Sequence, residues 1–164
     1  MRTTFRAPAA CPKLPPMSAW TPLAASDPTH DVGVLYARLL TALMGSEGGM
    51  LTLKDVATGR YRYVDAAMAR FFGRDPQELV GRSDAELFDG ATATALRAAE
   101  QTALSQAAPL WSDHRIEWQG RAREFSVLRT ADNGCLGALW LDRSESRQRE
   151  QQLRAALDQL EQQQ

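Results

Sequence analysis

Three strand-like segments follow one another almost without pause: Leu110 to Trp118, Arg121 to Thr130, and Cys135 to Leu141. Gly120 lies in the first gap, and Asp132-Asn133-Gly134 in the second carries the strongest hairpin signal in the chain. Loops this short cannot hold the crossover that parallel strands need, so the three segments must form an antiparallel meander. Such a meander has one apolar face, and the rest of the chain has to supply its cover.

Upstream, Met50, Leu51, Leu53 and Val56 form a short apolar run that ends at Ala57-Thr58-Gly59 and resumes at Tyr61-Arg62-Tyr63-Val64, which reads as a second hairpin. Gly59 supplies the positive φ that its turn needs. Short helical pieces follow between Asp65 and Gly81. Ala66 to Phe72 is stopped by Gly73, and Asp75 caps a turn with Pro76 at its first position and Glu78 three residues after the cap. Ser83 to Glu86 repeats the capping-box spacing. A longer alanine-rich helix, Ala91 to about Ala107, places Leu96, Ala99, Ala103 and Leu104 on one side. The order is two strands, several short helices, three strands and an exit helix. This predicts an α+β fold, a five-stranded antiparallel sheet with helices across one face.

The flanks differ from this middle. Six of the eight prolines fall between Met1 and His30, so residues 1–30 are expected to be an extended, poorly ordered arm. Val34, Leu35, Leu39, Leu40 and Leu43 then recur at helical spacing with Gly45 as the stop, giving an amphipathic flanking helix over residues 31–45. Residues 49–142 hold the strand and helix pattern described above. From residue 143 to 164 the chain has neither Gly nor Pro, and Leu153, Leu157 and Leu160 follow coiled-coil spacing. Its ending in Gln162-Gln163-Gln164 implies a helix cut short or one that runs on into a further domain.

A chain of 164 residues holds one modest core, and a net charge of −1 gives no electrostatic reason to expect nucleic acid or an anionic membrane as partner. No stretch approaches the roughly 20 apolar residues of a membrane helix. Cys11 and Cys135 form no C-x-x-C pair and lie near no histidine cluster. Neither a disulfide framework nor a zinc site is expected, and a reducing cytoplasm is the simplest compartment. Cys135 reads as a small strand residue. No nucleophile triad, zinc-protease or phosphate-loop motif occurs. Asp113 and Glu117 share a strand face, but solvated sheet charges account for them. No catalytic residue is nominated, and this chain is not expected to be an enzyme.

Residues 49–147 resemble the PAS family. Tyr63-Val64-Asp65-Ala66-Ala67 is similar to the family's Y-V-N-x-A, and Phe72-Gly73-Arg74-Asp75-Pro76-Gln77-Glu78-Leu79-Val80-Gly81-Arg82-Ser83 to F-G-x-s-x-E-E-L-V-G-K-S. Leu141-Asp142-Arg143-Ser144-Glu145-Ser146-Arg147 looks like the D-I-T-E-R-K element between the last strand and the exit helix. Asp65 stands for the usual Asn and Ser144 for the usual Thr, and both keep a side-chain oxygen for capping.

The resemblance implies a sensory input module of a bacterial signalling protein, with a diguanylate cyclase as first choice of output domain and a histidine kinase of a two-component system as second. It places Tyr63, Phe71, His114, Trp118, Phe125 and Trp140, with Phe72 and Trp111, on elements around an interior where a small apolar ligand would sit. The plainer reading, that the same aromatics simply fill the core, outweighs the ligand reading. Asp142 and Ser144 would transmit the signal to the exit helix, and Leu35, Leu39, Leu43, Leu153, Leu157 and Leu160 would build a homodimer. The reactive cysteine of the flavin photosensors is missing, as is a c-type haem motif, and the helix Ala91 to Ala107 has no histidine to bind haem, so the cofactor is left open. His114 shares a strand face with Ser112, Ile116 and Trp118; a hydrogen-bonded or surface role outweighs a ligand contact. The competing readings are a ligand-free assembly module and a small enzyme on a hydrophobic substrate, for which His114 is nearly all the sequence offers.

Overall fold

The computed structural model describes residues 10–11, 35, 38–40, 42–46 and 48–162. Its elements are β1 (Gly49–Asp55), β2 (Tyr61–Val64), α1 (Ala66–Phe72), α2 (Pro76–Leu79), α3 (Asp84–Leu87), α4 (Gly90–Leu104), β3 (Leu110–Trp118), β4 (Arg121–Asp132), β5 (Cys135–Asp142) and α5 (Ser144–Gln162). The strands form one sheet in the order β2-β1-β5-β4-β3, with every neighbouring pair antiparallel. Pairing of β1 with β5 joins the two strand groups into a single layer, as the sequence pattern predicts.

Turn chemistry sets the register. Asn133 and Gly134 both take positive φ, 49° and 75°, the two-residue turn whose twist matches the strands it joins. Gln119 and Gly120 do the same between β3 and β4. Helix starts follow the capping residues: the Asp65 carboxylate accepts Met68 N–H, Asp75 accepts Gln77 N–H, and Ser83 and Glu86 form a capping box. Gly73 closes α1 in the left-handed region at φ 65°. Helix α4 is shorter than its alanine content suggests. Asp89 caps it one residue early, and its last turn closes at Ser105, whose hydroxyl donates to the Thr102 carbonyl.

Alternation sorts the side chains. One sheet face carries Met50, Thr52 and Lys54 of β1, Leu136, Ala138 and Trp140 of β5, Phe125, Val127 and Arg129 of β4, and Ile116 of β3, all buried. Helices α1 to α4 close over this face with Met68, Phe72, Leu79, Phe88 and Leu96. The other face holds a paired row, Leu51 to Leu139 to Leu128 to Trp111, with Trp111 exposed at the β3 end. Tyr63 also lies on this side and is exposed, while Tyr61 is completely buried. Tyr63 and Trp111 are therefore not interior residues, contrary to expectation: the period-2 alternation of β2 turns Tyr61 inward instead.

The cysteines overturn a further expectation. Cys11 and Cys135 form a disulfide across a sequence separation of 124, with Cα atoms 4.8 Å apart. Sequence spacing carries no trace of this contact because it exists only once Cys11 lies against the β1–β5 pair. Register places Cys135 opposite Asp55, and the buried Asp55 carboxylate accepts the backbone N–H of Cys11 at 3.0 Å. The rest of the expected arm, residues 1–9 and 12–30, lies outside the described residues.

Toward the N-terminus, residues 35, 38–40 and 42–46 are helical, with Leu35, Leu39, Leu40 and Leu43 exposed and Met44 buried. Helix α5 has no buried residue, and Leu153, Leu157 and Leu160 are all more than half exposed.

Candidate functional site

The aromatic residues make a continuous stack under the helices. Phe71 packs on Trp118 with ring centroids 5.1 Å apart and meets Phe125 edge-on at 5.5 Å, and Phe125 meets Trp140 at 5.7 Å. Phe72 and Phe88 extend the cluster to α1 and the end of α3. Polar ends are satisfied: the Trp118 indole donates to the Phe71 carbonyl and the Trp140 indole to Thr52 Oγ1.

At one end of this stack a cleft of about 460 Å³ opens between Met44 to Met50, Ala67 to Phe71 of α1, and the β3–β4 turn. Phe71, Trp118 and Phe125 line it together with Arg123 and Asp142. Three of the expected pocket residues thus share a wall with an expected transmission residue. Trp140 stands deeper, behind Phe125. His114 is outside the cleft, on the β3 side, with its Nε2 2.9 Å from Ser112 Oγ and 3.2 Å from Arg129 Nη1. Burial, and then the Arg129 charge, push its pKa down to about 4, so the ring is neutral near pH 7.

Arg123, which sequence reasoning passed over, connects the cleft to the exit helix. Its guanidinium lies 5.7 Å from the Phe71 ring centroid and 6.0 Å from that of Phe125, within cation–π range. It is ion-paired with Asp142 through Nε at 3.1 Å and through a shorter contact from Nη2. The Asp142 carboxylate also accepts Ser144 N–H at 2.9 Å, and Ser144 Oγ accepts Glu124 N–H at 2.9 Å. Burial raises the Asp142 pKa, but the hydrogen bonds from Ser144 and Arg123 outweigh it and hold the carboxyl below its ordinary value. Arg143 N–H donates to the Glu124 carbonyl, and Arg147 on the first turns of α5 reaches Asp113 and Glu124. Beyond Arg147, α5 makes no ion pair with the sheet among the described residues.

A second cleft, of about 650 Å³, runs between the β1–β2 hairpin and α4. Its floor is a buried charge cluster. Lys54 Nζ pairs with both Asp84 and Glu100, and the Tyr61 hydroxyl donates to Asp84 at 2.6 Å. Burial raises the pKa of Glu100 and lifts that of Tyr61 well above its ordinary value.

With this geometry in hand, comparison with known proteins gives a consistent answer. Residues 50–150 match a family model described as the PAS fold, and the chain belongs to the PAS family. Among solved structures it is similar to the PAS domain of the Cronobacter turicensis RpfR quorum-sensing receptor in complex with BDSF, at 17% identity and a TM-score of 0.51, covering 58% of this chain and 93% of that one. It is also similar to a phage VqmA–DPO complex, at 15% identity and a TM-score of 0.53 over 79% of this chain and 62% of the other. An RNA-binding light-oxygen-voltage receptor gives 21% identity and a TM-score of 0.56 over 84% and 40%. At such identities the likeness is one of fold. No curated protein matches the chain.

Proposed function

We propose that this chain is a ligand-responsive sensory module that passes its state to the exit helix through Arg123, Asp142 and Ser144. The observation that carries the reading is the placement of Arg123. One guanidinium touches two aromatic rings of the cleft and the carboxylate that holds the first residue of α5. A ligand entering beside Phe71 and Phe125 competes with Arg123 for those ring faces and so alters the Arg123–Asp142 pair. Coupling of this kind needs only about 1–3 kcal/mol of differential affinity between two helix positions. The similar RpfR quorum-sensing receptor PAS domain, solved in complex with BDSF, supports a small ligand as the input.

Dimerisation belongs to the same proposal. Exposed Leu35, Leu39 and Leu43, the Leu51–Leu139–Leu128–Trp111 row, and Leu153, Leu157 and Leu160 are apolar surfaces that a second copy would cover. The output joined to α5 is proposed as a diguanylate cyclase ahead of a histidine kinase. Among the described residues no helix is long and apolar enough to cross a membrane. Disulfides persist in oxidising compartments, so the Cys11–Cys135 bond weighs against the cytoplasmic location expected from cysteine spacing.

A ligand-free assembly module is the second reading, favoured by the direct ring-to-ring packing of Phe71, Phe125 and Trp140. Native mass spectrometry of protein purified from its source separates the two. A retained small molecule that leaves on Phe71→Ala substitution supports sensing. An empty protein that is dimeric with or without Phe71 refutes it in favour of assembly.

A further inference from the structure

The Cys11–Cys135 bond lies where three backbone segments meet. Cys135 opens β5 and pairs with Asp55, the last residue of β1. The Gly134 carbonyl in the β4–β5 turn accepts Val56 N–H at 2.8 Å. The Asp55 carboxylate accepts Cys11 N–H on Oδ1 at 3.0 Å, and on Oδ2 it accepts the N–H and the hydroxyl of Thr58 at 3.0 and 2.7 Å. Asp55 to Gly59 and Leu136 form one wall of the cleft of about 650 Å³. A single covalent bond thus holds Cys11 on the carboxylate that shapes this wall.

We infer that Cys11–Cys135 is a thiol–disulfide exchange site, with Cys135 as the sulfur attacked and a dithiol reductant as the reactant. It gives the chain a second input beyond the sensory reading, at the opposite end of β1 from the cleft lined by Gly49, Met50 and Phe71. Among the described residues, the apolar cluster under the helices includes neither cysteine. The pairings around the bond, Asp55 with Cys135 and Val56 N–H with Gly134, are backbone hydrogen bonds that do not depend on the sulfurs. Reduction therefore frees Cys11 from the sheet and leaves the sheet standing. Cys11 is 6% exposed whereas Cys135 is half-buried, so an incoming thiolate reaches Cys135 first.

The thiolate of the reductant bonds to Cys135 Sγ, and the electron pair of the broken S–S bond leaves on Cys11 Sγ, which takes up a proton. The second thiol of the reductant, losing its proton, then attacks the reductant's own sulfur in the mixed disulfide and expels Cys135 as a thiolate that is protonated in turn. Two electrons and two protons enter the protein, and the reductant departs as its own disulfide. Cys11 N–H no longer holds Asp55 Oδ1, and the carboxylate that anchors the Thr58 turn loses one of its two fixed oxygens.

The test uses the full chain, reduced with dithiothreitol and reoxidised with oxidised glutathione. Near-UV circular dichroism should survive reduction. The Thr58 amide should exchange with solvent about tenfold faster, the scale of one weakened hydrogen bond, while the Met68 amide in α1 is unchanged. The Asp55 carboxyl, held below its ordinary range chiefly by the Cys11 N–H, should titrate at higher pH by NMR, and every change should reverse on reoxidation. Reduced glutathione should leave its adduct on Cys135 in peptide mass spectrometry, and Cys11→Ser should show the reduced-state exchange in either buffer. Loss of the near-UV signal on reduction, or a Cys11→Ser chain that does not fold, makes the bond a structural staple and overturns the inference. So do a bond that dithiothreitol leaves closed, an adduct on Cys11 in place of Cys135, and Thr58 exchange and Asp55 titration that are the same in both redox states. None of these results bears on the molecule retained beside Phe71, so the two readings fail separately.

Discussion

Replacing Asp142 by Asn tests the junction at the residue where three hydrogen bonds converge. The carboxylate accepts two N–H groups of Arg123 and the N–H of Ser144. Asn keeps an oxygen for Ser144 but gives up the charge and the second acceptor that Arg123 uses. A hydrogen bond to a charged group contributes about 1.5–3 kcal/mol. The Arg123 and Asp142 side chains are 37% and 25% exposed, and solvent screening lowers the expected loss to about 1–2 kcal/mol. The pH dependence gives a sharper signature. The folded-state pKa lies below the ordinary value of 3.8, so the stabilisation is complete above that value and disappears as pH falls through the depressed one. Urea unfolding at pH 7 should separate the two proteins by that margin, and the midpoints should converge in acid as pH falls through the depressed Asp142 pKa. Equal midpoints at pH 7, or a gap that persists unchanged in acid, would refute the reasoning.

Reduction of the Cys11–Cys135 bond lowers stability by at most about 5 kcal/mol, the chain-entropy limit for residues 124 apart; identical urea midpoints with and without dithiothreitol count against the bond. The His114 ring protonates near pH 4, so its NMR resonances stay flat from pH 8 to about pH 5.5; an inflection near 6.5 contradicts the Arg129 and Ser112 contacts. Because protonation is disfavoured in the fold, that site weakens stability as pH drops below the ordinary histidine range. Phe125→Ala, deep in the ring stack, costs about 3–5 kcal/mol in thermal or urea unfolding, and a loss of less than about 1 kcal/mol would mean that the stack is not the core.

The fold was legible because each of its decisions is local. Asn133-Gly134, Gln119-Gly120, Gly73 and the Asp and Ser caps each announce their own geometry within a few residues, and strand alternation then assigns faces. Boundaries moved by one to three residues, as at the alanine-rich helix, which Asp89 caps one residue early and which ends at Leu104, and at β4, which runs on to Asp132. The site was legible where alternation along one strand decides, as for Phe125 and Trp118. It failed at Tyr63, where choosing between two tyrosines two residues apart required the inward phase of β2. Arg123 and Arg129 were missed although both share the inward phase with Phe125, because a charged residue in that phase reads as a break in the pattern rather than part of a site. Nothing in the spacing of Lys54, Asp84 and Glu100, or of Cys11 and Cys135, could have brought them together; the sheet and α4 assemble the first group, and the approach of Cys11 to Asp55 on β1 the second.

The central claim is that Arg123 fixes the exit helix to the sheet. Spin labels placed at exposed Gln101 on α4 and Gln152 on α5, through chemistry that spares the cysteines, report the distance between core and helix. The account predicts one narrow distance distribution in the unaltered chain and a broadened or displaced one in Arg123→Gln. The same narrow distribution in both proteins, or a broad one in both, would contradict it.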